Sequence, residues 1–369
     1  METDTQKPMR EGHTTGATAT AAMKAALLAL AGEFPKEVTV LSPQNQPITV
    51  PIESARAEEG TGIATALKDG GDDLDVTHGT PIVVSVRYRE TAGLELKAGK
   101  GVGTVTKPGL QVAVGKPAIN PGPQIMMRKV YDEFVPKDRG LVVTISVPEG
   151  EELAKQTLNP AMGVIGGISI IGTTGIVKPM SEEAYKRSLV PQLSVIRAQG
   201  FRTVILVPGR IGEHAAEKLG MPRDAMAETS NFIGFMMETA VSMGFSRILL
   251  VGHMGKLLKV ASGSFHTYNR VSDGRMETMA AWAAACGATP SVVRELLACT
   301  TTDAGTDIIR REHLEAIYPL MAARAEERCR RYIFDKAEVG VIFVTMEGNV
   351  VAASPAARKL SEEEAWHIV

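Results

Sequence analysis

The sequence predicts two domains, an α+β domain with a mixed sheet at residues 1–178 and a doubly wound, mainly parallel α/β domain at residues 179–369. The first reason is length, because 369 residues are more than one hydrophobic core comfortably accommodates. The second is a change of pattern near residue 180. Alternating or β-branched runs precede it, and helix-like and strand-like segments alternate after it. The boundary is therefore expected between residues 175 and 185.

A helix is predicted at the start of the first domain. Residues Ala17–Ala31 are dense in alanine and leucine, and Gly32 ends the pattern. Either Thr14 or Thr15 can cap its N-terminal end. The strand-like runs that follow are EVTVL, QPITVPIES, PIVVSVRYRE and LVVTISVP. The segment Gly99–Pro123 is rich in glycine and proline and is predicted to be a long loop, either functional or disordered.

In the second domain, the predicted order is the helix SEEAYKRSLVPQLSVIRAQG, the strand TVILVPG, the helix NFIGFMMETAVSMG and the strand RILLVG. Most of the remaining chain is helical in pattern, and a last strand is VGVIFVTM. In a parallel sheet, glycine turns at the carboxyl ends of strands expose backbone N–H groups to ligands. The turns Pro208–Gly212 and Gly252–Lys256 are thus expected to face one crevice, unless glycine serves only to turn the chain tightly. Neither matches a dinucleotide or Walker motif.

Composition excludes several classes of partner. The net charge of −2 provides no basic field for a polyanion, and 5% aromatic residues are too few for a base-stacking surface, so nucleic acid is not expected. The N-terminus lacks the apolar core of a signal peptide, and no segment suits a membrane span, which predicts a cytoplasmic protein without a membrane partner. Cys286, Cys299 and Cys329 match no zinc or redox spacing and are expected to be buried thiols.

Two basic clusters contrast with this nearly neutral total. Residues 252–275 contain four basic side chains and one aspartate, a net charge of +3. These are Lys256, Lys259, Arg270, Arg275 and Asp273, and His253 and His266 lie in the same segment. Each histidine, taken singly, is more simply explained by a structural role. Residues 94–129 contain six basic side chains and one glutamate, a net charge of +5, and are either solvated surface or a flexible clamp for several carboxylates or phosphates.

An acidic run and a run of small residues are the other unusual segments. The acidic run comprises Asp69, Asp72, Asp73 and Asp75, followed by His78. It can bind Mg²⁺, bind a cationic or hydroxyl-bearing ligand, or form solvated Asx-turns, and no ligand spacing selects among these. Residues 166–181, GGISIIGTTGIVKPMS, are either a close-packed hinge or the floor of a ligand site.

In this order, the segments resemble the cobalt-precorrin-5B C1-methyltransferase family of anaerobic cobalamin (vitamin B12) biosynthesis. The matching motifs are GHTTG, KDGGDDLDVTHG, GKGVGTVTKPGL, AINPGP, GGISIIGTTGIVKPMS, SNFIGF, GHMGKLLKVASGSFHT and DGRMET. The family usually carries other residues at the positions of His13, Gly70, Leu74, Arg210, Tyr268 and Asn269. These departures bear on the roles of individual residues more than on the family.

The resemblance implies a C-methyltransferase that transfers a methyl group from S-adenosylmethionine to C1 of cobalt-precorrin-5B and gives cobalt-precorrin-6A. Cobalt then arrives within the carboxylate-rich corrinoid substrate, and no metal site in the protein is expected. Residues 1–178 are expected to bind the corrinoid, and residues 179–369 are expected to bind the cofactor. Transfer of the product to another enzyme of the pathway and self-association are further expectations.

Site residues are assigned with the help of the same resemblance. Cofactor binding is expected of Gly209, Gly212, Asn231, Gly252 and Gly255. Substrate binding is expected of Thr14, Thr15, Lys100, Lys107, Thr173, Thr174, Lys256 and Arg275. The candidate catalytic residues, as general bases, are His266, His253 and Asp72.

Two other functions stay open on the residues alone. A phosphate-handling enzyme would place the glycine loops and lysines around phosphate and would hold Mg²⁺ with the acidic run. A noncatalytic corrinoid carrier would bind the tetrapyrrole but not S-adenosylmethionine. Binding of ATP with Mg²⁺ would indicate the phosphate-handling enzyme, and binding of S-adenosylhomocysteine would indicate the methyltransferase. Binding of neither would indicate the carrier or a cofactor site that is completed only when the corrinoid is bound.

Overall fold

A computed structural model describes residues 9–368 of the chain. The chain divides between Glu182 and Glu183 into an N-terminal unit and a C-terminal unit. Each unit contains helices and a five-stranded sheet, so the predicted combination of α and β structure in both halves is confirmed. Within residues 9–368, no helix is long and apolar enough to cross a membrane.

The N-terminal unit is rich in short strands. Its elements are β1 (Gly12–His13), α1 (Thr15–Leu30), β2 (Glu37–Leu41), β3 (Pro47–Pro51), β4 (Ser54–Glu58), β5 (Thr61–Leu67), β6 (Pro81–Arg89), β7 (Gly93–Ala98), β8 (Gly101–Val102), β9 (Thr104–Val105), α2 (Pro121–Phe134), β10 (Gly140–Ser146), α3 (Gly150–Ala154), β11 (Val164–Ile165), β12 (Gly167–Ile168) and β13 (Ile176–Val177). The main sheet has the order β4–β5–β6–β10–β7, antiparallel except that β7 runs parallel to β10. It is therefore a mixed sheet, as predicted.

The core of this unit lies between α1 and the main sheet. Alternate residues of β6, such as Ile82 and Val84, are fully buried in the same apolar cluster as α1. Because α1 is rich in alanine, the sheet approaches its backbone closely, and a Cβ at Gly62 would lie 2.0 Å from the carbonyl oxygen of Ala26. The predicted helix is confirmed, and Thr14 is its cap, since its hydroxyl accepts from the N–H of Ala17.

The basic segment of residues 94–129 is not one flexible loop. Its backbone is fixed by hydrogen bonds, among them Gly103 N–H to Ile168 O at 2.9 Å and Thr106 N–H to Gly163 O at 2.7 Å. From Pro121 onward it is helical, because α2 begins there. The positive charges are therefore divided among a strand, turns and a helix. The sequence signal for α2 was Pro121 at the first helical position after Asn120.

The C-terminal unit begins with a helix and alternates strands with helices. Its elements are α4 (Glu182–Ala198), β14 (Thr203–Val207), α5 (Arg210–Lys218), a 3-10 turn (Arg223–Ala225), β15 (Met226–Glu228), α6 (Ile233–Ser242), β16 (Arg247–His253), α7 (Met254–Ser262), α8 (Arg275–Ala285), α9 (Pro290–Ala298), α10 (Thr302–Arg311), α11 (Ile317–Tyr332), β17 (Glu338–Val344), β18 (Val350–Ala353) and α12 (Pro355–Glu363). The strands predicted from TVILVPG, RILLVG and VGVIFVTM are confirmed as β14, β16 and β17. No pattern in the sequence predicted α5 or β15.

The sheet of the C-terminal unit has the order β15–β14–β16–β17–β18. The first four strands are parallel and β18 is antiparallel, so the prediction of a mainly parallel sheet is confirmed. Numbered along the chain, this is the order 2-1-3-4-5, in which the winding direction switches between β14 and β16. The carboxyl ends of those two strands are where such sheets bind ligands.

The three cysteines carry free thiols, and only Cys329 is fully buried, whereas Cys286 and Cys299 are half-buried. The expectation of buried thiols is thus correct for Cys329 alone.

Replacing Gly212 with alanine tests the packing of α5 on the sheet. The added Cβ would lie 2.3 Å from the carbonyl oxygen of Val251 in β16, so helix and strand must separate. We expect the free energy of unfolding to fall by about 1–3 kcal/mol, measured by urea denaturation. His214→Ala, at an exposed position of the same helix, is the control. Equal stability of the two variants would contradict this packing.

Candidate functional site

Three of the unusual segments meet at the start of α1 in the N-terminal unit. The N–H of His13 donates to Asp69 O at 2.7 Å, the N–H of Thr14 donates to Gly175 O at 2.9 Å, and β1 pairs with β13. The segments GHTTG, KDGGDDLDVTHG and GGISIIGTTGIVKPMS are thus brought together by backbone hydrogen bonds. Each segment is recognisable in the sequence, but nothing in the sequence indicates that the three are neighbours in the fold.

Glycine makes this meeting of segments sterically possible. A Cβ at Gly172 would lie 2.2 Å from Thr14 Oγ1, and one at Gly122 would lie 2.1 Å from Gly172 O. The hydroxyl of buried Thr15 accepts from Ile171 N–H at 2.9 Å. Thr173 and Thr174 are exposed beside this packed region. Residues 166–181 are therefore close-packed within the N-terminal unit, with two threonines facing solvent.

Each aspartate of the acidic run has a partner in the protein. Asp69 pairs with the Arg10 guanidinium, Asp72 Oδ2 accepts from Arg10 N–H at 2.6 Å, and Asp73 Oδ1 accepts from Met180 N–H at 3.0 Å. The hydrogen bond from Arg10 holds the pKa of Asp69 at about 2. The carboxylate of exposed Asp72 remains open to solvent on one side.

Asp75 is paired with a buried ammonium group. The side chain of Lys68 is 1% exposed and donates to Asp75, which also accepts from the N–H and hydroxyl of Thr77. Burial opposes the charge of Asp75, but the hydrogen bonds and the charge of Lys68 outweigh it, so its pKa is lowered. Among residues 9–368, no three His, Cys, Asp or Glu residues are grouped as a metal site would require. The acidic run serves this loop's own structure, including the Asx-turns considered above.

The two predicted lysines of the basic segment differ in surroundings. Lys100 is exposed and lies just before β8. The aliphatic part of half-buried Lys107 covers Gly163, and its ammonium lies 3.5 Å from Ala161 O. Further along, Lys129 donates to Ser42 O and Asn45 Oδ1, both at 2.6 Å. Lys100 therefore has the greater freedom to meet an anionic ligand.

In the C-terminal unit, the two expected glycine turns are tight junctions between strand and helix. The segment Pro208–Gly212 is mostly the first turn of α5, and β16 passes directly into α7 at His253–Met254. Gly209 is the cap of α5, whereas Gly212 packs on Val251. Interpreting both segments as turns was therefore wrong, although they do lie at the carboxyl ends of neighbouring parallel strands.

A cavity of about 350 Å³ opens beside the end of β16. The predicted site residues that line it are Asn231, His253, Gly255, Lys256 and Arg275. Residues that were not predicted as site residues also line it, namely Lys259, Thr267, Tyr268, Asn269, Thr301, Thr302 and Asp303. Helical periodicity in residues 302–311 gave no sign that the first turn of α10 reaches this cavity. The other predicted glycines, Gly209, Gly212 and Gly252, and also His266, are outside its lining.

Two lysines form hydrogen bonds that connect the segments around this cavity. Lys256 Nζ donates to Pro208 O at 2.8 Å and approaches Ser230 O at 3.4 Å, linking the segments that follow β14 and β15. Lys259, 1% exposed, donates to Thr267 O at 3.0 Å and to Asn269 Oδ1 at 2.6 Å. Burial lowers the pKa of both ammonium groups. Their charge lies inside the wall and helps to make the cavity positive.

His253 caps the helix whose first turn forms part of the cavity. Its Nδ1 accepts from Gly255 N–H at 3.2 Å, so the neutral ring carries its proton on Nε2. Burial lowers the pKa of His253, although Asp303 and Glu347 oppose the shift. This geometry favours donation of a hydrogen bond from Nε2 over abstraction of a proton.

His266 and Arg275 are held by neighbours in the same unit. The ring of His266 lies 5.0 Å from that of Phe232, and its carbonyl accepts from the Ser272 hydroxyl at 2.6 Å. Arg275 forms two hydrogen bonds with Asp273, at 2.9 and 3.0 Å, and still lines the cavity. Arg275 therefore presents a partly neutralised guanidinium.

Glu228 is an acidic residue that sequence analysis did not select. It is the last residue of β15 and is paired in register with Val207, the last residue of β14. Burial and the charge of Glu213 raise its pKa, whereas Lys256 and Arg210 oppose the shift. Glu228 was not selected because β15 was not predicted, since three residues are too few for a recognisable strand pattern.

The Arg10 to Asp69 pair predicts a pH-dependent contribution to stability. Because the folded pKa of Asp69, about 2, is below its ordinary 3.8, the contribution is present above about pH 4 and lost as pH falls toward 2. Asp69→Asn should lower the melting temperature at pH 5, and the difference from wild type should shrink at pH 3. Asp138→Asn, at an exposed position, controls for the charge. A difference that does not change with pH would contradict the pairing.

Two family models match separate parts of the chain. A family model described as CbiD matches residues 2–179, and one described as CbiD, C-terminal domain, matches residues 266–355. A solved structure titled as a cobalamin biosynthesis protein (cbiD) from Archaeoglobus fulgidus is 29% identical and covers 73% of this chain and 84% of that chain, with a TM-score of 0.37. At that TM-score, the likeness carries no argument about the fold.

Three relatives named cobalt-precorrin-5B C(1)-methyltransferase match almost the whole chain. The protein from Moorella thermoacetica is 45% identical over 95% of this chain and 97% of its own length. The proteins from Alkaliphilus metalliredigens and Thermoanaerobacter sp. are 42% and 40% identical, over 96% and 98% of this chain and 95% and 98% of theirs. Identity of this degree over nearly complete lengths shows that the chain belongs to the cobalt-precorrin-5B C(1)-methyltransferase family.

Proposed function

We propose that this protein transfers a methyl group from S-adenosylmethionine to C1 of cobalt-precorrin-5B, giving cobalt-precorrin-6A. The observation that carries the proposal is identity of 40–45% over nearly complete lengths to relatives with this named activity. The two units add physical support. One presents an exposed lysine and threonines beside a packed glycine region, and the other has a positive cavity at the carboxyl end of a parallel sheet.

We assign corrinoid binding to the N-terminal domain and cofactor binding to the C-terminal domain. The C-terminal sheet has the strand order of doubly wound nucleotide-binding domains. One face packs on α5 and α12 through residues such as Ile205 and Leu249, and the intervening Val204 and Leu206 are equally buried. Helices on both faces, and hence a doubly wound fold, account for this burial.

The residues at the switch point fit a nucleoside cofactor. Gly209 caps α5, and because it has no side chain it leaves the first backbone N–H groups of the helix uncovered. Gly255 and Asn231 line the cavity. Gly212 and Gly252 act indirectly, because their missing Cβ atoms let α5 and Pro208 approach β16. Lys256 fixes the two segments between which the cofactor would lie.

Substrate contacts are assigned to groups that remain accessible. The acetate and propionate arms of a corrinoid are separated anions, so dispersed cations suit them better than one cluster. Lys100, Arg275 and Thr173 are the candidates. Lys107 is a weaker one because its stem is packed on Gly163, and Thr174 is also weaker because its hydroxyl donates to Ile176 O at 3.1 Å. Thr14, Thr15 and Lys256 are better explained as supports, since their polar groups bond within the protein.

Methyl transfer requires the protein to position the donor and the acceptor more than to activate either of them. S-adenosylmethionine supplies a methyl group already activated by the positive sulfur, so the chain has to align the reacting partners and exclude water. Holding two reactants in the right geometry is worth roughly 7–11 kcal/mol. If a proton leaves the macrocycle, Asp72 and His266 are the candidate bases, whereas His253 is suited to donate a hydrogen bond from Nε2.

Neither alternative function explains the structure as well. A phosphate-handling enzyme would need the acidic run for Mg²⁺, but its aspartates are bonded to Arg10, Met180, Lys68 and Thr77. A corrinoid carrier would need no cofactor site at the switch point of the sheet. Cytoplasmic location, self-association and transfer of the product to another enzyme stay predictions.

The first test measures methyl transfer and cofactor binding. Under anaerobic conditions, S-adenosylhomocysteine should form only when protein, S-adenosylmethionine and cobalt-precorrin-5B are all present. In calorimetric titrations, S-adenosylhomocysteine should bind saturably, whereas ATP with Mg²⁺ should not. Binding of ATP alone, together with no methyl transfer, would support the phosphate-handling enzyme.

A second test concerns the cation that meets the substrate. Lys100→Ala should weaken binding of a stable cobalt corrinoid with free carboxylates by about two- to fivefold and reduce the salt dependence, because one exposed ion pair is worth up to about 1 kcal/mol. Lys97→Ala is the control, since Lys97 is exposed but 3.3 Å from Glu95. Equal binding by both variants, measured calorimetrically at two salt concentrations, would remove Lys100 from the site.

A further inference from the structure

The carboxylate of Glu228 lies where the sheet exposes its ligand-binding edge. Glu228 ends β15, next to the end of β14, and the glycine cap of α5 follows β14 directly. Within residues 9–368 its carboxylate takes part in no hydrogen bond or ion pair, although the residue is half-buried. A half-buried carboxylate with no hydrogen bond inside the protein is available to a ligand that donates hydrogen bonds.

The backbone of Glu228 is held from both sides. On one side, β15 pairs with β14. On the other, buried Gln192 of α4 donates to Glu228 O at 3.3 Å and accepts from Glu228 N–H at 2.9 Å. Because Gln192 bonds to both the N–H and the C=O of Glu228, it fixes the position of the Glu228 Cα. The backbone position from which the carboxylate extends is therefore fixed before any ligand binds.

We propose that the Glu228 carboxylate binds the ribose hydroxyls of the nucleoside cofactor, an inference that rests on the proposed function. Two adjacent hydroxyls present two donors, and a carboxylate is the side chain that accepts two at once. Doubly wound nucleotide-binding domains place such an acidic residue roughly 20 residues after the glycine turn, at the end of the next strand. Glu228 has this relation to Gly209.

Neighbouring charges agree with this role. Burial and the charge of Glu213 raise the pKa of Glu228, and the positive charges of Lys256 and Arg210 oppose that shift by favouring the ionised carboxylate, which is the form that accepts from both hydroxyls. The nearby carboxylate of Glu213 is already engaged by Arg223 at 2.9 Å. Asp303 lines the cavity at the first turn of α10, away from the two neighbouring strand ends. Of these three acidic groups, Glu228 alone is both unpaired and at the end of the strand next to the switch point.

The test combines a protein variant with a ligand variant. Binding of S-adenosylhomocysteine and of its 2′,3′-dideoxy analogue is measured by calorimetry for wild type and Glu228→Gln. Wild type should bind the ribose form about tenfold or more tightly than the analogue, because hydrogen bonds to a charged group are lost with the hydroxyls. In Glu228→Gln, the affinity for the ribose form should fall by a similar factor, and the two ligands should bind almost alike.

Glu213→Gln is the matched control, because it removes a neighbouring carboxylate and should retain wild-type affinity and discrimination. Circular dichroism checks that both variants are folded. If Glu228→Gln keeps the affinity and discrimination of wild type, the ribose role is overturned, and binding by wild type leaves the proposed function standing. If wild type itself does not bind S-adenosylhomocysteine, the cofactor site in the C-terminal domain and this inference are both overturned, while the methyl-transfer assay decides the function separately.

Discussion

The ammonium group of Lys256 is the contact on which the C-terminal site depends. It projects from α7 and bonds to carbonyl groups that follow β14 and β15, so three strand ends are joined through one side chain. Removing the ammonium group from water is unfavourable, and the pKa of Lys256 is lowered accordingly. The carbonyl contacts offset this cost only when the loops are in place. The same group thus sets the shape of the site and contributes to its charge.

The N-terminal site depends on a different constraint, which is the absence of side chains where segments cross. At Gly172 and Gly122, any Cβ would overlap backbone or side-chain atoms of another segment. Backbone hydrogen bonds then join GHTTG to the acidic run and to residues 166–181. Polar side chains in these motifs are consequently of two kinds. Thr15 and Asp75 hold the segments together, whereas Thr173 and Lys100 are left for solvent or ligand.

Patterns of apolar residues predicted the fold where an element is long. The helix after Thr14 and the strands β14, β16 and β17 were found because five or more residues repeat one pattern. The strand β15 has three residues, and the proline-rich start of α2 conceals a helix, so local pattern was insufficient. For the site, sequence showed which residues are unusual. It could not show that Lys256 is already bonded or that Glu228 is not, because partners distant in sequence decide both.

The pairing of Gln192 with Glu228 has a consequence beyond the site. The strand β15 is an edge of its sheet, and edge strands normally offer unpaired N–H and C=O groups to other chains. Here the side-chain amide of Gln192 forms hydrogen bonds with both the N–H and the C=O of Glu228, as a neighbouring strand would. These two groups are therefore not available to a strand of another molecule. One buried amide protects the end of this edge strand against extension of the sheet.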